Sequence, residues 1–102
     1  MMAKVELLYF AGCPNVAAAR EQLKRAFAAL ALTEQFTEID VLANGVPEHL
    51  RRYGSPTIRV DGQDVVGAAP VGGSACRVYA GSDRRGAPPL DVLVAALGRS
   101  GR

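Results

Sequence analysis

Val5-Glu6-Leu7-Leu8-Tyr9-Phe10-Ala11-Gly12-Cys13-Pro14-Asn15-Val16 joins a short apolar run to a helix-patterned stretch and puts a cysteine at the junction. The second half of Lys4–Phe10 is almost continuously apolar, which suits a central strand covered on both faces. Downstream, Val16, Ala19, Leu23, Ala26, Phe27 and Leu30 recur at three- and four-residue steps. That spacing predicts an amphipathic helix from about residue 14 to about residue 31, with Arg20, Glu21, Lys24 and Arg25 on its other sides. Pro14 fits the first turn, where its missing N–H costs nothing and its φ is preset. Cys13 is therefore expected beside unpaired helix N–H groups and the positive end of the helix dipole. Both favour thiolate over thiol. Lowering a thiol pKa from about 8.5 to about 7 raises the thiolate fraction at neutral pH from roughly 3% to roughly half.

Further along, Thr37, Ile39 and Val41 alternate with Glu38 and Asp40, so Gln35–Leu42 reads as a second strand, broken by Asn44-Gly45. Pro47–Tyr53 suits two helical turns, with Pro47 near the start and Gly54 beyond the end. Thr57–Val60 and Gln63–Val66 flank Asp61-Gly62, a two-residue hairpin signal. A last helix carries the stripe Leu90, Leu93, Val94 and Leu97 and is expected to end at Gly98. Gly67–Pro88, rich in Gly, Ala and Pro, matches no regular element, although Cys76–Tyr79 could pair briefly as a strand. A loop of that length in a small domain is usually functional or mobile. The resulting order is β-α-β-α-β-β-α. The expected fold class is α/β, a four-stranded mixed sheet covered by helices on both faces.

Composition narrows the function classes. A chain of 102 residues, 49% apolar, is expected to form one domain over 1–102 with its own core. A net charge of +2 with dispersed Lys and Arg gives no basic stripe, so no nucleic-acid partner is expected. No stretch approaches the length of a membrane span, and no secretory leader pattern is visible. The expectation is a cytoplasmic protein with no membrane partner. In that compartment two cysteines serve chemistry, metal binding or packing more often than a permanent disulfide. No nucleotide-binding glycine pattern exists, so no cofactor is expected. His49 and the Arg84-Arg85 pair read as solvated surface residues.

The element order, the Cys13-Pro14 pair after the first strand and the Ser55-Pro56 pair before the third together resemble the thioredoxin-fold superfamily. The resemblance spans nearly the whole chain. Gly54-Ser55-Pro56-Thr57-Ile58-Arg59-Val60-Asp61-Gly62 and the later Ser74, Cys76, Arg77 and Tyr79 are similar to small bacterial thioredoxin-like proteins, some labelled alkylmercury-lyase-like. The resemblance implies that Cys13 holds the attacking thiolate and that Pro56 is a cis-proline facing it across a cleft. It implies too that Ser55 offers its backbone to an extended substrate, with Pro14 and Pro56 beside it. The usual second cysteine, three positions after the first, is replaced here by Val16.

Three functions follow from these residues. In the first, a thiol-disulfide oxidoreductase-like redox protein uses Cys13 as nucleophile and Cys76 as resolving thiol, acting on a protein or small-molecule thiol or disulfide. In the second, Cys13 and Cys76 jointly ligate a soft metal ion or organomercurial. In the third, the fold is a non-catalytic interaction module. The residues leave catalysis itself and the oligomeric state open.

Overall fold

The computed structural model describes residues 4–50, 55–66 and 87–100, with residues 99 and 100 described by backbone alone. Val5–Tyr9 forms β1, Val16–Ala29 α1, Thr37–Asp40 β2, Thr57–Val60 β3, Gln63–Asp64 β4 and Leu90–Ser100 α2, with a 3-10 turn at Glu48–Leu50. The four strands make one mixed sheet in the order β2-β1-β3-β4. β1 and β2 run parallel, joined through α1; β1 pairs antiparallel with β3, and β3 with β4. The α/β class and the mixed four-stranded sheet expected from the sequence are both present.

The central strand alternates between two apolar clusters. Val5 and Leu7 of β1, with Ile58 and Val60 of β3, share a core with Val16, Ala19, Leu23, Ala26 and Phe27 of α1. Leu93, Ala96 and Leu97 of α2 close that same cluster, so both α-helices lie on one side of the sheet. Leu8 points the other way and packs with Val41 and Leu50, supported by Ile39 and Val46. Phe10 touches both clusters. The near-continuous apolar run that marked a strand covered on both faces thus reflects two clusters of unequal size. Among the described residues the second face is covered by the connection carrying the 3-10 turn. Of the two turns expected over Pro47–Tyr53, one is seen, and residues 51–54 lie outside the described residues.

Several boundaries differ from expectation: β2 and β4 are shorter than the expected Gln35–Leu42 and Gln63–Val66, and two helix ends shift for local reasons. α1 starts at Val16, because Pro14 and Asn15 form a turn ahead of it, with Asn15 at the N-cap. α2 runs through Gly98 to Ser100 instead of stopping there. Glycine within a helix costs about 1 kcal/mol relative to alanine but terminates it only when the chain turns left-handed. The Asp61-Gly62 turn behaves as its sequence signals: both residues take positive φ, +52° and +85°. Asp61 also locks the start of β1. Its carboxylate accepts the Lys4 N–H at 2.9 Å and its own N–H donates to Lys4 O at 2.8 Å.

One ion pair ties α1 to the edge strand. Arg20 donates from Nε and Nη2 to the two carboxylate oxygens of Glu38, at 2.9 and 2.7 Å. The hydrogen bond from Arg20 holds the Glu38 carboxyl below its ordinary 4.5; burial opposes it, and the charges of Arg20 and Lys24 add to the lowering. A lowered folded-state value contributes stability that is complete above 4.5 and lost as pH falls through the lowered value. The side chains remain 40% and 33% exposed, so the pair is worth less than about 1 kcal/mol. Glu38→Gln should therefore lower urea-denaturation stability by a few tenths of a kcal/mol to about 1 kcal/mol at neutral pH. The difference from wild type should close as pH drops well below 4.5. A difference that persists in acid would mean the side chain acts by packing.

Candidate functional site at Cys13

The site forms where β1 ends and the chain turns into α1. Gly12 makes the turn possible with a φ of +88°, a left-handed value that L side chains rarely adopt. The Cys13 N–H then donates to Phe10 O at 3.3 Å, and Cys13 O accepts the Val16 N–H at 3.5 Å. The cysteine is thereby fixed at the approach to the helix N-terminus. The first turn of α1 holds no acidic residue that would compete for the positive end of its dipole.

A distant segment completes the arrangement. Ser55, fully buried, precedes β3, and the Ser55–Pro56 peptide bond is cis. The Ser55 hydroxyl accepts the Phe10 N–H at 3.3 Å, and the Cys13 Sγ lies 3.6 Å from the Ser55 carbonyl oxygen. Phe10, Cys13 and Ser55 are each hydrogen-bonded to the other two. Three of the residues singled out from the sequence, Cys13, Ser55 and Pro56, thus belong to one corner of the fold. Pro14 sits exposed on the adjoining turn, whereas Pro56 is fully buried.

The chemistry of this corner is more specific than the sequence suggested. Cys13 is only 8% exposed and shares the larger apolar cluster. A thiol can donate S–H to the Ser55 carbonyl; a thiolate cannot, and would face the negative end of that C=O. The contact therefore suits the protonated sulfur. The helix N-terminus and its dipole favour the anion. Ionisation at this corner means that the sulfur exchanges a carbonyl acceptor for N–H donors or water.

Cys76, proposed as partner of Cys13 in both thiol chemistry and metal binding, lies outside the described residues, as do Arg84 and Arg85. Among the described residues, no group of three or more His, Cys, Asp and Glu side chains could hold a metal ion. His49 is exposed on the 3-10 turn. No described helix is long and apolar enough to cross a membrane.

Two buried polar features of the scaffold were not among the expectations from the sequence. Gln22 of α1 is fully buried: its Nε2 donates to Pro88 O at 3.2 Å, and its Oε1 accepts from Arg25 at 2.8 Å. It pins the approach to α2 onto α1. Glu6 and Arg59, opposite each other on β1 and β3, form a mostly buried ion pair at 3.4 Å. Glu6 did carry a signal, since a carboxylate inside a strand covered on both faces requires a partner. Gln22 carried none, because its position on the helix wheel reads equally well as surface.

The hydroxyl of Ser55 gives this corner a direct test. Ser55→Ala removes the acceptor for the Phe10 N–H and should cost about 1 kcal/mol of folding stability, read from urea denaturation. A loss below about 0.3 kcal/mol would show that water replaces the serine there at no cost. Compared with known protein families, with curated proteins and with solved structures, the chain matches none.

Proposed function

We propose that the chain is a thioredoxin-like thiol protein in which Cys13 is the nucleophile and Cys76 the resolving thiol. The observation that carries this reading is the place of Cys13 at the turn into α1, whose first turn holds no acidic residue; the Ser55 carbonyl, 3.6 Å from the sulfur, opposes ionisation there. The parallel β1–α1–β2 unit followed by the antiparallel β3–β4 hairpin supports the thioredoxin-like assignment. In the proposed reaction the Cys13 thiolate attacks one sulfur of a substrate disulfide. The substrate S–S bond breaks, its second sulfur leaves as thiolate and takes up a proton, and a mixed disulfide remains on Cys13. The Cys76 thiolate then attacks Cys13, forming the Cys13–Cys76 disulfide and releasing the substrate as its second thiol. Two electrons pass from the protein to the substrate, and an external thiol reductant restores the pair. The step needs the two cysteine Cα atoms within about 7 Å.

The alternative, a non-catalytic interaction module, draws on a different observation: the near-complete burial of Cys13 among apolar neighbours. A small buried thiol is also an ordinary packing residue. Mass spectrometry after exposure to oxidised glutathione separates the two. The redox reading predicts that wild type loses two hydrogen masses, whereas Cys76→Ser accumulates one glutathione on Cys13. An unmodified Cys13 in folded Cys76→Ser, with modification only after denaturation, supports the packing role and overturns the redox one.

A further inference from the structure

We draw no further inference here: the strongest candidate, the hydrogen-bonded cluster of Phe10, Cys13 and Ser55 at the turn between β1 and α1, belongs to the site already described and holds a lone cysteine with no second feature pointing to a ligand.

Discussion

Replacing Arg59 with methionine is expected to destabilise the fold by about 3–5 kcal/mol, a fifth or more of the total stability of a typical domain. Glu6 is 6% exposed, and its carboxylate oxygen stands 3.4 Å from the Arg59 guanidinium. Removing the cation leaves a carboxylate inside the fold without the charge that compensated its desolvation. Arg59 also donates from Nη2 to Gly62 O at 2.9 Å, so the same substitution loosens the hairpin turn. The pair itself is a different matter. Two desolvated charges attract each other strongly, but bringing both out of water costs a comparable amount. Glu6→Leu combined with Arg59→Met should therefore recover most of the loss and lie within about 1–2 kcal/mol of wild type. Denaturant titration of the four proteins in this cycle gives the coupling directly. A single-variant loss near zero would mean that water reaches the pair.

Leu23→Ala should cost about 2–5 kcal/mol. Leu23 is fully buried at the centre of α1, in the cluster built from Val5 and Leu7 of β1, Ile58 of β3, and Leu93 and Leu97 of α2. Truncation forfeits both the transfer energy of the removed carbons and the contacts around the cavity they leave. Leu23→Met, which conserves volume, should cost less than about 1.5 kcal/mol. The pair of variants also reports on Cys13, because that residue belongs to the same cluster. If alkylation of Cys13 proceeds through opening of the fold, its rate should rise about tenfold for each 1.4 kcal/mol lost. If the folded protein reacts directly, Leu23→Ala should leave the rate almost unchanged while thermal stability falls. The redox proposal expects the second pattern.

Much of the scaffold was legible because its signals are local. The 3.6-residue stripe from Val16 to Phe27 marks α1, and Asp61-Gly62 marks the hairpin, since each rests on backbone chemistry within a few residues. The placement of both α-helices on one face was not legible. Their apolar stripes say that each buries a side, not which side of the sheet receives it. The end of α2 was not legible, because Gly98 can sit inside a helix as well as cap one. Around the site, the turn at Gly12-Cys13 was readable from the strand-to-helix junction. The Ser55 contact is of another kind: it joins residues 42 positions apart, beyond the reach of any local signal. The carbonyl facing the sulfur was invisible in the sequence, because a backbone group carries no side-chain signature. Yet it opposes the helix dipole over the same proton.

That opposition sets the decisive measurement, the pH dependence of Cys13 alkylation by iodoacetamide in folded Cys76→Ser protein. A single titration is expected, with its midpoint below the free-thiol value of about 8.5, the helix N-terminus prevailing over the Ser55 carbonyl. A midpoint at or above that value, or a rate that appears only when the protein unfolds, would contradict it and leave Cys13 a packing residue of the core.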